Sequence, residues 1–332
     1  MSEPWTSAET EPKEADFRGI LNMHMSIAKA IIARQSSPPY LYVDLYAGPG
    51  RLTFRGKEFD GSPLIFMNTA RQLGIDYVSA FYEQDASVAD RLKGALAAAG
   101  GSGHYEVHDE RCEIGFPKLL GRVGNPRRRY GLIYSDPIRD EIPHALLNAA
   151  AERFPTVDLL SYVSATQYKR RRGVDENRPY LADHIAAVDK KVVLIREPIG
   201  MWQWTFVLWS NWVRLPDWKR RGFYRLDSEK GQQILERLNL SAREQQETAN
   251  TPLPFDDDPP YTSYREYLKH PRFLAIRAQV FERAAGLCER CSSRPPTEPH
   301  HLRYPPWGTF DVPENMIAIC HQCHCEIHGK AS

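Results

Sequence analysis

Two Cys-x-x-Cys pairs, Cys288/Cys291 and Cys320/Cys323, stand 28 residues apart near the end of the 332-residue chain, and no other feature restricts the fold so tightly. Two such knuckles can supply four thiolates to one tetrahedral zinc. Five of the six cysteines and six of the eleven histidines lie after Pro260, and only Cys112 stands outside. The first residues, 1–14, are acidic and polar and lack the basic and then apolar stretches of a secretory signal. The chain therefore reads as cytoplasmic, where clustered Cys and His indicate metal rather than disulfides. A structural Zn2+ on the four cysteines is the expectation. A segment of about 70 residues buries a small core, and a metal would add the stability that burial lacks.

The stretch TANTPLPFDDDPPY has no apolar periodicity and combines prolines with three consecutive aspartates, which places a linker at 248–260. It separates an expected α/β domain over 17–247, preceded by a frayed tail over 1–16, from a small domain over 261–332. In the larger part, LYVDLYAG (41–48), YVSAFYE (77–83), RYGLIYSD (129–136), VDLLSYV (157–163) and KVVLIRE (191–197) read as buried strands. SPLIFMNTARQL, with Ser62 as N-cap and Pro63 at the first helical position, and SVADRLKGALAAA read as helices between them. The pattern predicts an open, mostly parallel α/β sheet with helices on both faces. No apolar run reaches the roughly 18 residues of a membrane helix, so no membrane partner is expected. The net charge of +1, from 43 basic and 42 acidic residues, excludes holding nucleic acid by bulk charge alone. Beyond residue 260 the count is nine Lys/Arg against seven Asp/Glu, so a mildly basic tail follows a nearly neutral domain.

DLYAGPG places Asp44 at a strand end and Gly48 and Gly50 in the following turn, where backbone can approach a nucleotide-like ligand. Glu83 ends the next strand, where an acidic side chain can accept ribose hydroxyls, and Asp136-Pro137 ends a later one. Near the C-terminus a second set accompanies the cysteines: His300, His301, Asn315, His324 and His328. His324 and His328 are spaced i, i+4 and share a helix face, from which they can grip one ion. Adjacent His300 and His301 point to opposite sides of an extended strand, so one can ligate while the other faces a substrate. That division suits phosphodiester hydrolysis, with a divalent ion on the phosphate and a neutral imidazole taking a proton from water.

The segment 261–330, with YREYLKHPRFLAIRAQVFERAAGLCERC, His300-His301-Leu302, ENMIAICHQCH and the closing EIH, resembles the HNH nucleases with their ββα-metal fold. The resemblance implies His301 as general base and His300, His324 and His328 as ligands of a catalytic ion. It makes Asn315 the residue that orients the base or holds the loop. The ion would be Mg2+, Mn2+, Ni2+ or Zn2+, and three imidazoles favour a transition metal over Mg2+. Residues 17–240, with D-x-x-AGPG, a downstream GSP and a strand-end acidic residue, resemble class I methyltransferases and more narrowly the three-Cys-motif partner family. This implies a Rossmann-like methyltransferase-type sheet and S-adenosylmethionine bound near Asp44, Gly48, Gly50 and Glu83. SDPI offers no aromatic after Asp136-Pro137 to stack on a flipped base.

The run Lys169, Arg170, Arg171 and Arg172, expected in the loop after VDLLSYV, is a candidate phosphate contact, whereas the tryptophan-rich MWQWTFVLWSNW (201–212) reads as packing. The leading expectation is a metal-dependent HNH endonuclease acting on DNA. Its α/β domain would recognise DNA or a nucleotide ligand, in bacterial anti-phage defence or restriction, with a protein partner or homodimer compatible with two-strand cleavage. The alternatives are an S-adenosylmethionine-dependent nucleic-acid methyltransferase with a zinc-binding DNA-recognition tail, and a non-catalytic partner protein.

Overall fold

The computed structural model describes residues 6–100, 103–137, 141–175, 179–199, 202–213, 218–240, 264–302 and 312–328. It divides into two compact units, 1–249 and 250–332. The larger unit runs α1 (Thr10–Gln35), β1 (Tyr40–Asp44), the hairpin β2 (Arg51–Phe54) and β3 (Lys57–Asp60), α2 (Ser62–Leu73), β4 (Tyr77–Tyr82), α3 (Ala86–Ala99), β5 (His104–His108) and α4 (Cys112–Arg122). It continues with β6 (Gly131–Ser135), α5 (His144–Arg153), β7 (Val157–Ser164), α6 (Ala165–Val174), α7 (Leu181–Ala186), β8 (Val192–Arg196), β9 (Trp204–Ser210), β10 (Phe223–Arg225) and α8 (Glu229–Asn239).

Eight strands form one sheet in the order β10-β8-β9-β7-β6-β1-β4-β5. The five strands β5, β4, β1, β6 and β7 are parallel, whereas β9 pairs antiparallel with both β7 and β8, and β10 antiparallel with β8. The chain starts in the middle at β1, winds outward through β4 and β5, and returns to β6 on the other side of β1. The order therefore reverses between β1 and β6, which opens a crevice at their carboxyl ends. Every residue of β1 is buried, and alternation assigns its side chains to two cores: Leu41 and Val43 to one, Tyr40 and Tyr42 to the other. This two-sided cover is why the sequence reads as unbroken apolar runs.

Three expectations are corrected. Residues 10–16 are not a frayed tail: α1 begins at Thr10, and its Phe17, Ile20, Leu21, His24, Met25 and Ala28 recur at helical spacing and are buried. Arg196 fastens its start to β8 through Asp16 at 3.2 Å. The run 169–172 lies within α6, not in a loop. Ser62 is the first residue of α2 rather than its cap, which is Gly61, although Pro63 does sit in the first turn. The tryptophan-rich stretch contains a full strand, β9, all of it buried, with the Trp209 indole donating to the Ile185 carbonyl at 2.9 Å.

The smaller unit contains α9 (Tyr264–Tyr267), α10 (Pro271–Arg283), β11 (Glu298–His301), β12 (Met316–Ile319) and α11 (His321–Ile327), with β11 and β12 antiparallel. The expected leading helix is broken at His270, which caps α10 through its side chain, because Pro271 disfavours helical backbone in the residue before it. Tyr267, Phe273, Ile276, Val280, Ala284, Met316 and Ala318 form its core. Arg283 binds Glu289 through two bonds of 2.9 Å, and Glu289 accepts the Ala318 amide at 2.7 Å, so α10, the knuckle and β12 are tied by one pair. The linker expected at 248–260 lies outside the described residues.

Candidate ligand cleft and metal centres

At the carboxyl ends of β1, β4 and β6 the turn after β1 runs through Gly48 (φ 62°) and Gly50 (φ 77°), a left-handed backbone that strains other residues. A Cβ at Gly48 would meet nothing within 4 Å, so any side chain there would project into open space. That space is a cleft with two lobes meeting at Tyr46 and Gly48. One lobe is lined by Glu83, Gln84, Glu110, Arg111 and Glu113, and the other by Lys13, Phe17, Gly50, Asp60, Ser62, Tyr134 and Asp136. Glu83 accepts the Gly48 amide at 3.1 Å and the Asp85 amide at 2.9 Å, one on each carboxylate oxygen, which fixes the turn and leaves lone pairs for a ligand. The lining is mainly acidic and suits a ligand carrying positive charge.

Asp44 does not line the cleft. It is fully buried beneath the turn, accepting the Tyr46 amide at 3.2 Å and the Tyr42 hydroxyl at 3.3 Å. Burial raises its carboxyl to about 7, against hydrogen bonds from Ser62, Tyr46 and Tyr42. Its work is to shape the turn. Lys13, Glu110 and Arg111 were not singled out from sequence. Glu110 follows β5, whose HYEVH alternates polar residues and gives no apolar run. Lys13 comes from the segment read as a tail.

In the smaller unit Cys288, Cys291, Cys320 and Cys323 place their sulphur atoms within 4.8 Å of one another, with Cys291 and Cys320 at 3.9 Å. A tetrahedral site with Zn–S bonds of about 2.3 Å has sulphur separations of roughly 3.8 Å, so the set can close on zinc with little movement. The Cys320 amide lies 3.3 Å from the Cys288 sulphur, and hydrogen bonds with Ser293 draw the Cys291 thiol down to about 6, both favouring thiolate. Cys320 caps α11, which brings the second knuckle against the first.

His300, His324 and His328 form a second group whose nitrogen atoms also lie within 4.8 Å. Glu298 holds His324 Nδ1 at 2.5 Å and His321 Nδ1 at 2.6 Å, which leaves Nε2 of His324 as the free lone pair. His301 is 7 % exposed, and Asn315 ends a short turn before β12, its carbonyl accepting the Leu302 amide at 2.8 Å. The basic run is largely engaged within its own unit. Lys169 binds Gln203 and the carbonyls of Leu238 (2.9 Å) and Leu240 (2.6 Å), Arg171 pairs with Glu141 at 3.2 Å, and Arg172 lies 3.5 Å over the Tyr180 ring. Arg170 stands on the same helix. Among the described residues no helix is long and apolar enough to cross a membrane.

No family model matches the chain, and no curated protein does. Among solved structures it is similar to protein LPL1258 of Legionella pneumophila str. Philadelphia 1, of the DUF519 family, at 13% identity and TM-score 0.42, covering 62% of this chain and 89% of that one. It is similar to the METTL16 MTase domain at 12% identity and TM-score 0.36, covering 57% and 66%. It is also similar to the mycolic acid cyclopropane synthase CmaA1 complexed with SAH and CTAB, at 10% identity and TM-score 0.26, covering 44% and 46%. The mixed sheet with its parallel centre is the open α/β sheet expected from the strand pattern, with an antiparallel edge added at β8, β9 and β10. The expected HNH endonuclease is corrected here: the similar structures named above include methyltransferases, and none of them is named as a nuclease.

Proposed function

We propose that the larger unit is an S-adenosylmethionine-dependent methyltransferase acting on nucleic acid, and that the smaller unit is a zinc-stabilised module that helps recognise it. The observation that carries this reading is the acidic two-lobed cleft around Gly48, at the point where the strand order reverses. The bound molecule would supply an electrophilic methyl group on a positively charged sulphur. Glu83 would accept ribose hydroxyls, and Glu110 and Arg111 line the same lobe. Gly48 and Gly50 let backbone close on the ligand, and Asp136 stands at the opposite lobe facing the acceptor.

Titration of the full-length protein with S-adenosylmethionine in a calorimeter tests the reading. Glu83→Ala is expected to weaken binding roughly 10–100-fold, the loss of hydrogen bonds to a charged group. Gly48→Val should abolish it, because the branched side chain strains the turn and projects into the cleft. Wild-type protein that binds no S-adenosylmethionine would overturn the proposal. Transfer of a labelled methyl group to DNA or RNA then identifies the acceptor.

The metal content is part of the same reading. Four thiolates would hold Zn2+, and the three imidazoles a second, more exchangeable transition-metal ion. Metal analysis should find two ions per chain after incubation with Zn2+ or Ni2+, and one in His324→Ala. A single ion in both proteins would remove the histidine site.

A further inference from the structure

A separate cavity of about 400 Å3 opens at the opposite end of the sheet from the glycine turn. Its walls come from the later half of α1, the first residues of β6 and β7, and Trp212 and Trp218 beyond β9. On α1 the lining residues His24, Ile27, Ala28 and Ile31 recur at helical spacing, so one stripe of the helix forms one wall. Gly131, which lines the cavity, begins β6, and Asp136, which lines the ligand cleft, stands about 16 Å of extended strand further on. No residue lines both spaces. Open α/β sheets take their ligands at the carboxyl ends of the strands, whereas this cavity stands at the amino ends.

A cavity of this volume accommodates a small molecule. Most of its lining is apolar, and it includes the rings of Tyr130, Trp212 and Trp218, with the Tyr130 and Trp212 centroids 6.0 Å apart. Asp158 is the acidic member of the wall, and its side chain retains 9% of its exposure. Its Oδ2 accepts from His24 Nε2 at 3.1 Å, and His24 Nδ1 accepts from the Tyr40 hydroxyl at 2.8 Å. Its Oδ1 has no hydrogen-bond partner among the described residues. The neighbouring Lys190 donates to the carbonyls of Phe154 and Val157 at 3.0 and 2.9 Å rather than to Asp158. The carboxylate therefore has one donor, from an imidazole, and no ammonium or guanidinium bound to it among the described residues.

Buried carboxylate oxygens are ordinarily hydrogen-bonded, because a charge removed from water without partners is costly. A ligand that brings N–H donors and a positive charge meets that need, while a flat apolar body meets the rings and the isoleucines of α1. We infer that the cavity is a binding site for a small primary amine carried on a flat apolar body, its ammonium directed to Asp158 and its body packed among Tyr130, Trp212 and Trp218. Aromatic faces attract the same positive charge, so wall and carboxylate select alike. A neutral molecule of the same shape keeps the apolar contacts and loses the charged one, and an anion is repelled. The inference is independent of the methyltransferase reading, since the two sites share no lining residue.

The test titrates full-length protein in a calorimeter with three molecules of similar shape: tryptamine, the neutral 3-ethylindole and the anionic indole-3-propionate. Tryptamine is expected to bind about tenfold or more tightly than 3-ethylindole, and indole-3-propionate more weakly than either. Ala30 is exposed where α1 lines the cavity, and Ala30→Trp should obstruct the space and abolish tryptamine binding while the melting temperature stays that of wild type. Asp158→Asn keeps an acceptor for His24 and removes the charge, so tryptamine should then bind no better than 3-ethylindole. If that variant does not fold, the ligand series and Ala30→Trp decide the matter by themselves. Equal affinity for the three molecules, no saturable binding of tryptamine, or binding that survives Ala30→Trp would overturn the inference. Failure of the wild-type protein to bind S-adenosylmethionine would overturn the methyltransferase reading and leave this site standing.

Discussion

Chelating the metal from the smaller unit is expected to unfold it while leaving the larger unit's melting transition in place. Among the described residues, seven make up its main hydrophobic cluster, and Cys288, Cys320 and Cys323 form much of a second cluster around Ile319. Structural zinc sites of this type contribute on the order of 10–16 kcal/mol to folding, more than so small a core can replace. Cys288→Ser and Cys323→Ser replace two of the four clustered thiols, which are 0% and 4% exposed, and should have the same effect. Limited proteolysis with and without a zinc chelator reads this directly, since α10, β11, β12 and α11 would become susceptible together. Undiminished protection after complete zinc removal would show that the four thiols pack without a metal.

The second large effect concerns pH and Asp44. Its carboxyl, raised to about 7 in the folded protein from an ordinary value of 3.8, binds its proton more tightly when folded than when unfolded. The associated stability is therefore fully present below about pH 4 and lost as pH rises through 7. Three units correspond to roughly 4 kcal/mol at most. Asp44→Asn keeps an acceptor for the Tyr46 amide and carries no charge at any pH. It is expected to be close to wild type near pH 5 and more stable than wild type near pH 8. Melting curves of the two proteins across this range should diverge with rising pH, and parallel curves would mean that Asp44 is ionised throughout.

The glycine turn, Glu83 and Asp136 were legible because strand-end carboxylates and Gly-x-Gly need no tertiary knowledge to be recognised: each is a local signal at the end of an apolar run. The same locality misled at Asp44. A carboxylate after a strand looks like a ligand contact, and only the packing of Tyr42 and Ser62 around it shows that it is buried under the turn. Lys169 reads as a phosphate contact from charge alone. The carbonyls that occupy it belong to Leu238 and Leu240, some 70 positions away.

By itself the sequence determined the local chemistry: the paired cysteine spacing, the i, i+4 histidines, the turn glycines, and the five apolar strands of a two-faced sheet. These depend on residues within a few positions of one another, where spacing fixes geometry. The tertiary structure alone decided what those residues meet. It inserted β9 antiparallel between β7 and β8, turned residues 10–16 from a tail into the cleft wall, and carried Lys13 to Asp136 across 123 positions. Contacts over such separations arise from the summed burial of two core layers, and no short stretch of chain records that sum.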